Sequence, residues 1–250
     1  KSLSANNVQA IFEDRNQQIW ILTTESLDRY VPGEDRFEHF NYTSEGFRQS
    51  GEYYFYDIRQ DKEGAIWFGN DQGLFRLKPQ ENVVKTIYST ANPLAGGISG
   101  MVRTLYIHHD DRLYIGTTEG LFRYNKRSGE VEAINLGHPN LQNSACPINK
   151  IMGEDNDHLL LVTNMGVYRL ALPSLKVREA FPGHSVFPDL RAADAMIDFS
   201  GIYWIGTFEE GLYKLVPNRK KFMLVSNQTH PGLSSNLIAS VYRDKDDRLW

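Results

Sequence analysis

Five residues combine the side-chain types that hold a hydroxyl-rich ligand: the aromatic face of Tyr56 and the hydrogen-bonding groups of Arg103, Asn149, Arg191 and Asp194. A ring offers an apolar platform, while guanidinium, amide and carboxylate groups make paired, directed hydrogen bonds. His108-His109-Asp110-Asp111 has metal-ligating types in a row, yet the equivalent segment further on reads Asp244-Lys245-Asp246-Asp247. A polar turn therefore accounts for it, and the other histidines lack the fixed spacings of zinc sites. Cys146 is the single cysteine, which excludes an intrachain disulfide. It stands beside Pro147 without a neighbouring base, as a small buried residue does. Nucleophile elbow, phosphate-cradling loop and dinucleotide fingerprint are absent from the sequence. The carboxylates recur in phase and read as turn formers, so we expect no catalytic residue, no metal and no cofactor.

The elements that must position these residues come from a repeat. The run Ile66-Trp67-Phe68-Gly69-Asn70-Asp71-Gln72-Gly73-Leu74 returns as Leu113-Tyr114-Ile115-Gly116-Thr117-Thr118-Glu119-Gly120-Leu121 and as Tyr203-Trp204-Ile205-Gly206-Thr207-Phe208-Glu209-Glu210-Gly211-Leu212. The aromatic position runs Trp20, Trp67, Tyr114, Leu160, Trp204, Trp250, at spacings of 47, 47, 46, 44 and 46 residues, and takes all 4 tryptophans of the chain. A period in the mid-forties with several short strands per unit matches propeller blades and excludes helical solenoids.

The expected fold is all-β, a β-propeller of four-stranded blades of about 46 residues each. The units run over about 3–49, 50–97, 98–142, 143–186 and 187–232, with the start of a further unit at 233–250. First strands are expected at Val8 to Phe12, Phe55 to Arg59, Val102 to Ile107, Ile148 to Met152, Arg191 to Ile197 and Ile238 to Tyr242. Tight turns follow at Gly64, Asp111, Asp157, Gly201 and Asp247, where Gly and Asp tolerate a left-handed backbone; Gln17 is the exception at this position. The second strand carries the aromatic. Gly69 and Gly73, Gly116 and Gly120, and Gly206 and Gly211 are read as turn glycines leading into the third strand.

A four-stranded blade cannot bury both faces alone, so each Trp is expected as core between neighbouring blades. The five polar and aromatic residues named first lie near the start of first strands, expected to be innermost and to converge at the axis.

Of the 250 residues 41% are hydrophobic and 12% aromatic, and the net charge is −4 with acids and bases interleaved. That is too apolar for disorder and lacks the basic stripe of a nucleic-acid binder. No apolar run approaches the roughly 18 residues of a membrane span. Leu3-Ser4-Ala5-Asn6 returns 230 residues later as Leu233-Ser234-Ser235-Asn236, five repeats of 46. The expectation is a chain of five complete units and part of a sixth, a segment of a longer propeller.

The phrase Leu-Ser-x-Asn, a strand, Asp, a turn, Ile-Trp-Ile-Gly-Thr, Gly-Leu and Arg-Tyr resembles the two-component regulator propeller repeat. Gln60-Asp61-Lys62-Glu63-Gly64-Ala65-Ile66-Trp67-Phe68-Gly69 and Ile202-Tyr203-Trp204-Ile205-Gly206-Thr207 carry the resemblance best. Departures are Leu22 and Ser26 for the glycines of unit one, Leu160 for the aromatic of unit four, and His108 and Glu154 for the Asp held elsewhere by Asp14, Asp61, Asp198 and Asp244.

The resemblance implies the periplasmic sensor of a Bacteroides-type hybrid two-component system, the ectodomain of an inner-membrane protein. Such a sensor has two seven-bladed propellers, a small β-sandwich, a membrane helix and intracellular kinase, receiver and DNA-binding parts. This chain would be a partial, five- to six-blade segment of a seven-bladed propeller. Its partners would be an oligosaccharide released from a complex glycan, the other propeller and sandwich domains, and a second copy in a homodimer, with no nucleic-acid contact of its own. Two other readings stay open: a propeller-fold glycosidase or polysaccharide lyase, and a protein-binding scaffold.

Overall fold

A computed structural model of the chain describes residues 2–41, 54–81, 83–91, 97–137, 146–182, 190–216, 221–246 and 248–250. Those residues form five four-stranded antiparallel sheets, each with its strands hydrogen-bonded in chain order. Sheet 1 is β1 (Val8–Glu13), β2 (Ile19–Thr23), β3 (Ser26–Val31) and β4 (Arg36–Asn41). Sheet 2 is β5 (Phe55–Gln60), β6 (Ile66–Asn70), β7 (Gly73–Lys78) and β8 (Val83–Ser89). Sheet 3 is β9 (Val102–Ile107), β10 (Arg112–Thr117), β11 (Leu121–Asn125) and β12 (Val131–Ile134). Sheet 4 is β13 (Ile148–Gly153), β14 (His158–Thr163), β15 (Gly166–Ala171) and β16 (Lys176–Glu179). Sheet 5 is β17 (Ala192–Ile197), β18 (Tyr203–Thr207), β19 (Leu212–Val216) and β20 (Lys221–Val225).

The chain divides into two compact units, residues 1–134 with sheets 1 to 3 and residues 135–250 with sheets 4 and 5. Within each, successive sheets share a core because side chains alternate across a strand. On β6, Ile66 and Phe68 join Trp20, Leu22, Leu27 and Phe40 of sheet 1. Trp67, between them in sequence, points the other way and packs with Leu105, Ile115, Phe122 and Tyr124 of sheet 3. Its ring lies 5.6 Å from that of Tyr124. In the second unit Leu160, Val162 and Val167 of sheet 4 meet Ala195, Ile205, Tyr213 and Leu215 of sheet 5. One strand thus serves two cores.

The first hairpin of each repeat is fixed by its Asp. Asp61 accepts the backbone N–H groups of Glu63 (3.2 Å) and Ala65 (2.9 Å) with one oxygen, and the Trp67 indole N–H (2.8 Å) with the other. Asp14 and Trp20, Asp198 and Trp204, and Asp244 and Trp250 repeat the indole bond at 3.0, 2.9 and 2.8 Å. The turns place Gly64, Asp111 and Gly201 at φ of 86°, 68° and 72°, and Gln17 also takes a left-handed φ of 61°. Asp157 does not adopt that conformation, and Asp247 lies outside the described residues.

Three expectations are corrected. First, not every Trp is core: Trp20 and Trp67 are buried, Trp204 is half-buried, and Trp250 is 69% exposed. Burial of this position requires a complete sheet on the side it faces. Among the described residues of 233–250 the one bridge is Arg243 to Leu249, and Ile238 to Tyr242 is not a strand. Second, the first strand of sheet 5 begins at Ala192, leaving Arg191 outside it. Third, Gly69, Gly116 and Gly206 are not turn glycines. Gly116 lies within β10, paired with Thr104 and Leu121. Gly69 and Gly206 lie within β6 and β18, where a Cβ would come 2.3 Å from Val102 Cγ1 and 2.6 Å from Ile238 Cγ2 respectively. They let the next repeat's chain approach the sheet. Gly73 is a turn glycine, at φ 149° with the Tyr88 carbonyl crowding its α-carbon.

Candidate ligand-binding cleft

Each first strand carries one irregularity at the same place. Its register with the second strand shifts between Val8 and Ala10, Phe55 and Asp57, Val102 and Thr104, Ile148 and Lys150, and Ala192 and Asp194. The extra residue is Gln9, Tyr56, Arg103, Asn149 or Ala193. A bulge leaves its residue out of the ladder and re-aims the side chain. Three of the five expected binding residues, Tyr56, Arg103 and Asn149, therefore share one structural position. Arg191 and Asp194 do not.

The first unit also holds a cleft of about 640 Å³ lined by the turn residues Asp71, Gln72, Thr118 and Glu119 and by Tyr88, Thr90 and the segment Ser99 to Met101; Tyr56 and Arg103 are not among its lining residues. Its walls are tied together. Thr118 N–H donates to the Met101 carbonyl (3.0 Å), Met101 N–H to Thr118 Oγ1 (3.0 Å), and Thr90 N–H to the Gln72 carbonyl (2.8 Å). The Tyr88 hydroxyl donates to the Gly100 carbonyl at 3.2 Å.

Tyr56 is 45% exposed and Arg103 half-buried. Burial pushes the Tyr56 phenol up, the Arg103 charge opposes the rise, and the Asp71 charge adds to it. Tyr54 and Met101 add exposed apolar surface. Asn70 Nδ2, Asp71 Oδ1 and Gln72 Oε1 are buried and have no hydrogen-bond partner among the described residues. Asn70 takes the place of the threonine that caps this turn in other sheets. Its Oδ1 accepts from Gln72 N–H (2.8 Å) and Gly73 N–H (2.9 Å), as Thr117 Oγ1 accepts from Glu119 and Gly120.

The other three expected residues are engaged in packing or pairing. Asn149 donates to Asn164 Oδ1 (2.6 Å) and to the Ala192 carbonyl of the neighbouring first strand (2.7 Å). Arg191 pairs with Glu209 at 2.7 Å and lies over Phe208. Asp194, buried, accepts from Ala195 N–H (2.9 Å), Val241 N–H (3.1 Å) and Ser240 Oγ (3.1 Å), while Lys150 stands 3.4 Å away. Asp57 does the same work in the first unit, taking Leu105 N–H (2.9 Å) and Thr104 Oγ1 (3.2 Å) from the next sheet. These aspartates staple adjacent repeats. Sequence reasoning passed over Asp57, although its match to Asp194 in the repeat was a usable signal.

The His108 cluster forms a turn: Asp111 N–H donates to the His108 carbonyl, and His108 Nδ1 pairs with Asp110 at 2.7 Å. Among the described residues no group of three or more His, Cys, Asp and Glu side chains is placed to hold a metal. Cys146 is buried, which raises its thiol pKa, with Thr163 opposing the rise. No described helix is long and apolar enough to cross a membrane.

Residues 2–25 match the family model described as two component regulator propeller. No curated protein matches the chain. Among solved structures, the propeller sheets superpose on the extracellular domain of a B. thetaiotaomicron protein named as a one component system, with TM-score 0.75 and 17% identity over 100% of this chain and 32% of that one. A B. thetaiotaomicron extracellular domain named as part of a hybrid two component system gives TM-score 0.72 and 21% identity over 99% and 32%. A streptogramin B lyase gives TM-score 0.66 and 13% identity over 97% and 75%. At these identities the likeness establishes the β-propeller fold. The chain spans 32% of the length of the two extracellular domains.

Proposed function

We propose that this propeller segment is a non-catalytic, ligand-reading part of the extracytoplasmic sensor of a hybrid two-component system, and that its ligand is an oligosaccharide. The observation that carries the reading is the recurrence of Tyr56 and Arg103 at equivalent bulges of β5 and β9, together with Asp71 and Gln72, whose Oδ1 and Oε1 are buried without a partner among the described residues on the wall of the 640 Å³ cleft. The repeat family and the extracellular fold neighbours support the sensor role. A sugar ring would lie on the Tyr56 face while its hydroxyls pair with Arg103 and with Asp71 and Gln72, whose buried oxygens are costly to leave unpaired. Signalling follows from differential affinity. A ligand that binds one arrangement of the sensor more tightly shifts the protein toward it. Periplasmic placement, the remaining propeller and β-sandwich domains, and a homodimeric sensor belong to the same proposal.

A library of glycan-derived oligosaccharides, screened by calorimetry, tests it. Tyr56→Ala and Arg103→Ala should each weaken the best ligand about tenfold or more, the loss of one stacking face or one charged hydrogen-bond pair. Unchanged affinity in both variants would move the site elsewhere.

A further inference from the structure

The third strand of each sheet carries a cation beside the aromatic position: Arg29, Arg76, Arg123, Arg169 and Lys214. In sheets 1 and 3 the residue directly across on the fourth strand is a glutamate. Arg29 faces and pairs with Glu38, and Arg123 faces and pairs with Glu132. In sheet 4 the facing residue is Arg178, and Arg169 turns instead to Glu154. In sheet 2 the facing residue is Lys85. Like charges directly opposite on a sheet repel. Among the described residues no carboxylate lies within ion-pair distance of Arg76, whose guanidinium rests 5.5 Å from the Trp67 ring centroid.

Arg76 lines a cavity of about 390 Å³ between sheets 2 and 3 of the first unit, and its other charged walls are mutually neutralised. Lys126, 7% exposed, holds Asp61 at 3.2 Å and Glu63 at 3.0 Å. Asp111 takes both Lys62 and Arg127. Lys78 is held by Glu81 at 2.6 Å. Of the five cations on the lining, Lys62, Arg127 and Lys126 are held by its three carboxylates and Lys78 by Glu81 from outside it, which leaves Arg76, with its planar fork of donors. Trp67 backs that fork and fixes its direction.

We propose that this cavity binds an oxyanion, with Arg76 as the anchoring residue that makes bidentate hydrogen bonds to it. The site is separate from the 640 Å³ cleft and does not depend on the sensor reading. Its chemistry suits a free inorganic oxyanion or an acid group carried on a sugar.

Calorimetry on this chain at low ionic strength, where screening is weak, tests it with three probes: inorganic sulfate, glucose 6-sulfate and glucose. Saturable 1:1 binding of either sulfate, with none for glucose, is expected. Tighter glucose 6-sulfate than inorganic sulfate assigns the anion to a sugar, and the reverse order assigns a free ion. Arg76→Gln should weaken binding about tenfold or more. Lys85→Glu restores the carboxylate found opposite Arg29 and Arg123, and should abolish sulfate binding while the chain stays folded by circular dichroism. Sulfate also stabilises proteins generally by exclusion, so a rise in melting temperature is not the readout. The absence of saturable sulfate binding, or binding unaltered in a folded Lys85→Glu or Arg76→Gln chain, overturns the proposal.

Discussion

Asp111 sits between Lys62 and Arg127, and those two cations hold its carboxyl down at about 2. An unfolded aspartate titrates near 3.9, so the folded value is the lower one. The stabilisation is then complete above about pH 4 and is lost as pH falls toward about 2. Urea unfolding across that window should lose stability less steeply in Asp111→Asn than in the parent chain. Equal slopes would show that the two cations do not act through this carboxylate. Glu154 shows the same residue-scale logic in the opposite setting. Where Leu160 replaces the indole, the acidic position has no N–H to accept and serves Arg169 and the Tyr203 hydroxyl, at 2.6 Å, instead. Burial and then the Glu154 contact push the Tyr203 phenol up to about 12. The pairing of Asp with Trp, and its joint loss at Glu154 and Leu160, was visible in the sequence, but there the Asp was read as a turn former only.

At the scale of elements, two adjacent sheets meet where one must lack a side chain. A Cβ on Gly69 would overlap Val102 Cγ1 at 2.3 Å, since β9 packs directly on β6 there. Both sides are buried strands, so neither moves cheaply. Gly69→Ala should cost about 1–3 kcal/mol by overpacking. Val102→Ala in the same chain should recover part of that, a coupling read by a double-mutant cycle of urea midpoints. Purely additive losses would mean that the two sheets separate at this point in solution. The turn reading of Gly69 arose because its spacing to Gly73 looked like turn punctuation. The strand in fact continues to Asn70, and the turn is made by Asn70 and Gly73.

At the scale of the molecule, sharing of cores links the sheets of a unit into one cooperative body. Trp67 is fully buried against sheet 3 while belonging to sheet 2. Trp67→Ala should therefore cost about 3–5 kcal/mol. It should also lower hydrogen-exchange protection in β10 as well as β6. Protection lost from β6 alone would show that sheet 3 is held independently of it.

The sequence by itself determined the repeat, the four-stranded blade and the hairpin turns. All of these rest on contacts within a few residues, such as the Asp to Trp bond across six positions, and they recur whenever the local phrase recurs. Even the final copy builds its Asp244 turn with little else around it. Tertiary structure decided what neighbouring copies do to one another. It buried Trp67 between sheets 2 and 3, and it turned Asp57 and Asp194 into staples between repeats. It set Tyr56 and Arg103 at equivalent bulges and set Arg76 opposite Lys85 beside a cavity. Identical local phrases differ in burial and in charge partners because those depend on which residue, some 47 positions away or across the sheet, packs against them. A repeat pattern carries no record of that packing.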